Sequence, residues 1–191
     1  EMNQERPRRA KEEHAIVLDF LKNGYSSDSR PFHQKEPIIQ ALGKDHFVLL
    51  ELVSKPDKSF KPHDEVYIGD DDRPDIAYIK GALQTVKLTQ TAKRELNFIV
   101  EKLVSDNEEK YLNFYNNSGP ISLRSHQLEL LPGIGKRHSR EILEQRTIEP
   151  FKSFDEIKER VKAVPNPKKA IIDRILFELE DGDRYKLFVR V

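Results

Sequence analysis

The apolar residues of this chain keep one spacing up to about Leu88 and another after it, and that single change of period limits the folds open to it. Before Leu88, short β-branched and aromatic runs, AIVLDFL (15–21), PIIQALG (37–43), HFVLLELV (46–53), DEVYIG (64–69) and DIAYIKGAL (75–83), are separated by turn residues. Runs of this length between Gly, Pro, Asp and Ser read as strands. After it, Leu96, Ile99, Val100 and Leu103 fall at i, i+3, i+4 and i+7, which predicts a helix over 91–104. Strands followed by helices exclude an alternating α/β arrangement and give an α+β chain of more than one domain. Five strands packed into residues 14–88 predict a small OB-like β-barrel, with FKPHDEVYIG as its turn and short alternating strand.

The helical part has its own punctuation. Ser105 and Glu108 are spaced as a capping box, and Tyr111, Leu112 and Tyr115 form the stripe of a second helix that Asn116 to Pro120 ends. Residues 128–146 then read LELLPGIGKRHSREILEQR. Leu128 and Leu131 lie on one face of an incoming helix, Pro132 ends it, and Gly133 and Gly135 permit a tight turn with positive φ while Ile134 plugs the core. The next helix starts at once, with unpaired N–H groups and the positive end of its dipole. Two residues without a Cβ let a phosphate come close to those N–H groups. Lys136, Arg137 and Arg140 add charge beside them, and the small Ser139 lets the two helices pack closely. This matches the helix-hairpin-helix motif, a sequence-independent binder of the nucleic-acid backbone.

A shift of 33 positions aligns Leu131 with Val164, Pro132 with Pro165 and Ile142 with Ile175, so the hairpin is read as duplicated. In the second copy, VPNPKKAIIDRIL, the glycines are gone and Pro167 removes an N–H donor. That copy is expected to complete a shared core and to offer Lys168, Lys169 and Arg174 as point charges. Between the copies, Ser153 and Glu156 are spaced as a capping box for a linking helix, giving a five-helix unit. Residues 124–174 hold 12 Lys and Arg against 8 Asp and Glu, whereas residues 1–120 hold 18 against 21, so positive charge gathers around the hairpins. Over the whole chain, 33 basic residues balance 33 acidic ones, and no global field marks a partner.

The string ISLRSHQLELLPGIGKRHSREILEQR, followed by PFKSFDEIKERV and a closing YKLFVRV, resembles an uncharacterised archaeal family, the domain of unknown function numbered six-five-five. The resemblance runs from about His14 to the end, and the family's proteins are described as RNA-binding. It implies an OB-like barrel before a double helix-hairpin-helix domain, and RNA before DNA as the partner.

The resulting domain plan is a flexible arm (1–13), the barrel (14–88), a helical domain (89–183) holding the hairpins at 125–146 and 155–179, and a strand (184–191) returning to the barrel. Alternation of Tyr185, Leu187, Val189 and Val191 carries the last expectation. The expected function is non-enzymatic binding of an RNA or DNA backbone through Gly133, Ile134, Gly135, Lys136, Arg137, Arg140, Lys168 and Lys169. The loop NGYSSDSRPFHQKEP (23–37) adds Arg30, Phe32 and Lys35, an aromatic beside basic groups of the kind that stacks single-stranded bases. A different class of reading is a protein-interaction module of a ribonucleoprotein, ribosomal or transcription assembly with structural hairpins. A third is a metal-dependent nuclease built on Asp70, Asp71, Asp72 and Asp75, against which a solvated turn is the plainer reading. Six histidines without ligand spacing and zero cysteines leave no expected metal, cofactor or small-molecule substrate. The lack of cysteine, of an apolar run long enough for a bilayer and of a signal-peptide pattern in EMNQERPRRAKEE predicts a cytoplasmic protein with no membrane partner.

Overall fold

The computed structural model describes residues 11–190. The apolar runs form β1 (His14–Leu21), β2 (Ile38–Gly43), β3 (Leu49–Ser54), β4 (Glu65–Tyr67) and β5 (Ile76–Ala82). They make one sheet in the order β4-β1-β2-β3-β5, with every neighbouring pair antiparallel. The connection from β4 to β5 therefore crosses from one edge to the other, and the two edge strands run in the same direction. The sheet curls into a half-barrel rather than a closed one. A register shift between Val17 and Asp19 bends β1, as an extra residue on one strand does. Inside the curl lie Ala15, Val17, Ile39, Ala41, Leu50 and Leu52, with Val66, Ile68 and Ile76 beside them.

The second face is buried too, through Ile38, Gln40 and Leu42. Gln40 has no exposed surface and is fully paired: its amide donates to the Lys87 carbonyl at 3.0 Å, and its oxygen accepts the Thr89 N–H at 3.0 Å. The Thr89 hydroxyl donates to Asp19 at 2.6 Å and accepts from the Ala92 N–H at 3.0 Å, which starts α1 (Gln90–Asp106). The helix is longer than the spacing predicts. Ser105 is consequently no cap, because its hydroxyl bonds back to the Glu101 carbonyl inside α1.

Residues 1–10 of the expected arm lie outside the described residues. Residues 11–13 are not an arm: Glu12 is buried, and its carboxylate accepts the N–H groups of Asp45 at 2.9 Å and His46 at 2.7 Å in the β2–β3 turn.

The chain divides into two compact units, Glu1–Ile99 with Phe188–Val191, and Val100–Leu187, so the division falls inside α1 and not at residue 88. The second unit holds α2 (Glu108–Asn117), a 3-10 helix (Gln127–Leu130), α3 (Lys136–Ile148), α4 (Phe154–Arg160) and α5 (Pro167–Leu179). The incoming helix before the PGIG turn is thus a single 3-10 turn. The expected linking helix is α4, the first arm of the second turn; Ser153 caps it by accepting the Glu156 N–H at 3.0 Å, but the Glu156 carboxylate accepts the Lys152 N–H at 2.9 Å, so the expected capping box is only half formed. At the two turns the corresponding positions are 30 apart, not 33. Leu131 and Val161 are the buried residues that open them, and Gly133 and Ala163 take positive φ of 82° and 58° at the same step. The helix N-caps that follow, Gly135 and Asn166, are 31 apart, so neither spacing sets Pro132 against Pro165.

Several basic residues counted toward the positive patch are spent inside this unit. Arg146 donates to the Tyr115 and Ser118 carbonyls, and Arg160 to those of Gln145 and Glu149, so each closes the C-terminal end of a helix. Arg174 offers no free charge. It is 3% exposed, pairs with the buried Glu178 at 2.7 Å, and also reaches Asp183 and the Tyr185 carbonyl. The Glu178 carboxylate in turn accepts the Leu187 N–H.

That pair overrides the alternating pattern of the last residues. Tyr185 to Leu187 are held within the second unit, while Val189 is buried in the first unit and the Arg190 N–H donates to the His46 carbonyl at 3.0 Å. The segment returns, but its described residues form no strand.

Candidate nucleic-acid interface

The PGIG turn does two separate jobs, divided between its glycines. Gly133 has a φ of 82°, and a Cβ on it would meet Pro165 Cγ at 2.9 Å, so this residue both makes the turn and lets the two turns pack tip to tip. Gly135 has a φ of −97°, which any residue adopts, and a Cβ on it would meet nothing within 4 Å. Of these two glycines, only Gly133 needs positive φ and only Gly135 has open space where a Cβ would stand. Ile134 is 4% exposed between them, and its N–H donates to the Leu131 carbonyl at 3.1 Å.

Gly135 is the N-cap of α3, and no side chain caps this helix. The first-turn N–H groups of Lys136, Arg137 and His138 point out of the helix with only the dipole's partial charge behind them. The second hairpin is closed at the same place. Asn166 Oδ1 accepts the N–H groups of Lys168 at 3.1 Å and Lys169 at 3.2 Å, and Pro167 has none to offer.

The cations around α3 differ in how free they are. Lys136 donates to the Arg124 carbonyl and lies 3.2 Å from Glu129, whereas Arg137 lies 3.6 Å from Glu141. Both side chains stay largely exposed, and ion pairs of that kind are worth about 0–1 kcal/mol, so a phosphate competes with them easily. Arg140 is exposed and has no ion pair among the described residues. Lys169 is tied to Asp173 at 2.6 Å.

The 3-10 helix that leads into the turn is fixed by a reciprocal cap. His126 Nδ1 accepts the Leu128 N–H at 3.1 Å, and the Glu129 carboxylate accepts the His126 N–H at 2.7 Å. Burial pushes the His126 imidazole pKa down, and Arg146 pushes it the same way. The Glu129 carboxyl is held below its ordinary value by the His126 N–H and then by Lys136. The neighbouring loop 121–125, which carries the Arg124 carbonyl under Lys136, is not among the expected site residues. Its local signal is faint, a leucine and an arginine between serines.

Arg30, Phe32 and Lys35 belong to the first unit. Arg30 is clamped by Asp28, which it holds down to about 2 through side-chain and backbone hydrogen bonds. Phe32 is 72% exposed, and the Lys35 ammonium lies 5.3 Å from its ring centre, so those two come together as a cation and an aromatic face. In the aspartate run, Asp70 pairs with Lys11 at 2.5 Å and Asp75 with Lys58 at 3.3 Å. Among the described residues no group of three or more His, Asp or Glu is placed to hold a metal ion, and no helix is long and apolar enough to cross a membrane.

Comparison with known proteins adds a lineage to this geometry. The family described as "Protein of unknown function (DUF655)" matches residues 11–190. The uncharacterized protein MJ0038 of Methanocaldococcus jannaschii is 39% identical over 181 residues, which are 94% of this chain and 80% of that protein. A crystal structure of Af1531 from Archaeoglobus fulgidus, itself assigned to DUF655, is 42% identical, with a TM-score of 0.84 over 93% of this chain and 99% of that one. With nearly its whole length matched, this chain belongs to the DUF655 family.

Proposed function

We propose that this protein is a non-enzymatic binder of nucleic acid, RNA before DNA, that takes a backbone phosphate at the N-terminus of α3. The half-barrel is read as an OB-like fold and the turn-linked helices as a double helix-hairpin-helix. One observation carries the proposal: two related turns each launch a helix of 13 residues, and only one N-terminus is left uncapped, with open space at Gly135 and Lys136, Arg137 and Arg140 around it. A hairpin used only for packing gains nothing by leaving its N–H groups bare, since a capping side chain stabilises a helix by about a few tenths of a kcal/mol over the glycine that stands here. Asn166 and Pro167 do just that for α5. Phe32 with Lys35 adds a stacking surface suited to an unpaired base.

The test is a salt series on structured RNA and duplex DNA, read by fluorescence anisotropy. With about three phosphates neutralised, log affinity falls against log salt with a slope near −2 to −3, about a 40-fold loss between roughly 50 and 200 mM. Absence of binding at low salt, or affinity indifferent to salt, would leave the hairpins as packing elements and favour the protein-interaction reading.

A further inference from the structure

The loop from Ile121 to Ser125 stands next to the bare end of α3 and is built more firmly than its length requires. The N–H groups of Ile121 and Ser122 donate to the Ser125 carbonyl at 2.9 and 3.2 Å. The Ser122 and Ser125 hydroxyls are 2.9 Å apart, and the Arg124 N–H reaches Ser122 Oγ at 3.3 Å. Pro120 and His126 form a bridge across the base, and Gly119 is held from both sides by Gln127. The Lys136 ammonium, in the first turn of α3, donates to the Arg124 carbonyl and so ties the loop to the phosphate site.

What this loop displays is at odds with its surroundings. Leu123 is fully exposed at the tip and Ile121 is partly exposed behind it. The Arg124 side chain is exposed and meets no carboxylate at ion-pair distance among the described residues. A leucine held out on a hydrogen-bonded turn, with an arginine beside it and a row of N–H groups next door, has the make-up of the apolar wedges by which proteins pry into a base step.

We infer that Leu123 is a wedge, and that with Arg124 it makes the α3 site select nucleic acid whose stacking is already interrupted. This rests on the phosphate-binding reading above and names its substrate class. Inserting a side chain into a continuous helix costs a few kcal/mol of unstacking, whereas a bulge or a junction between single and double strand has already met that cost. The backbone beside the gap then lies against the α3 N-terminus while Leu123 covers the exposed base face. The charge fits a polyanion, because the exposed Arg124 adjoins Leu123 in the loop and the Lys136 ammonium is bonded to the Arg124 carbonyl.

The experiment compares the wild type with Leu123→Ser on two RNA probes, an uninterrupted duplex and the same duplex with one bulged nucleotide flanked by 2-aminopurine. Because Leu123 touches solvent only, the variant keeps the fold, checked by circular dichroism. The expected result is a preference of about ten-fold for the bulged probe, equivalent to about 1.4 kcal/mol, and a change in 2-aminopurine fluorescence on binding. Leu123→Ser loses both while its affinity for the plain duplex stays the same. Equal wild-type affinity for both probes, or a preference that survives the substitution, overturns the wedge and leaves phosphate binding standing. Failure to bind either probe at low salt overturns both. Self-association that Leu123→Ser abolishes, seen by sedimentation without any probe preference, assigns the leucine to a contact between copies of this chain and overturns the wedge.

Discussion

Two glycines two positions apart invite a single explanation, and their backbone angles refuse it. Gly133 is a matter of fold: a side chain there adopts the left-handed region, at about 1–2 kcal/mol, and drives into Pro165 besides. Gly135 is a matter of access. Gly133→Ala is therefore expected to lower the stability of the protein by at least about 1–2 kcal/mol in urea unfolding. Gly135→Val costs less than about 1 kcal/mol, the usual gap between residues at an N-cap, yet abolishes measurable binding of structured RNA. If both variants lose stability equally, or if Gly135→Val binds as well as wild type, the division of labour is wrong. The string PGIG marks the turn in the sequence, but it carries no record of which glycine faces a neighbour, because Pro165 comes from the other turn.

Among the elements, the 3-10 helix before α3 depends on a proton being absent. His126 Nδ1 accepts a hydrogen bond only when unprotonated, and burial lowers its pKa below the unfolded value. The folded state then binds fewer protons than the unfolded state, so this residue's contribution is complete above about pH 6.5 and is lost as the pH falls through the depressed value. Thermal melting at descending pH should accordingly show a loss of stability that His126→Asn, which keeps an N-cap acceptor, reduces. An unchanged pH profile in the variant would show the loss to arise elsewhere. The strands and α1 were legible because their cores follow the local period. The expected 33-residue register was not kept, since Pro132 stands one residue before the positive-φ Gly133 and Pro165 two residues after the positive-φ Ala163.

At the scale of the whole molecule, alternation misled where a buried ion pair decided. Tyr185 and Leu187 look like a strand face, yet their backbone groups are taken by Arg174 and Glu178, an arrangement no local pattern announces. Deleting residues 184–191 leaves that pair short of the Tyr185 carbonyl and the Leu187 N–H, and removes Val189 from the first unit. A hydrogen bond to a buried charged group is worth about 1.5–3 kcal/mol, so the truncated protein should melt below the full chain in calorimetry. An unaltered transition would show the segment to be ornamental. The half-barrel has an anchor of its own in Glu12, whose carboxylate sits under the β2–β3 turn where a Cβ on Gly43 would otherwise go. The amide protons of Asp45 and His46 point at that carboxylate. Their deuterium uptake is thus a built-in gauge of whether the start of the domain is docked: slow while Glu12 is seated, fast once it lets go, and readable without a label or a ligand.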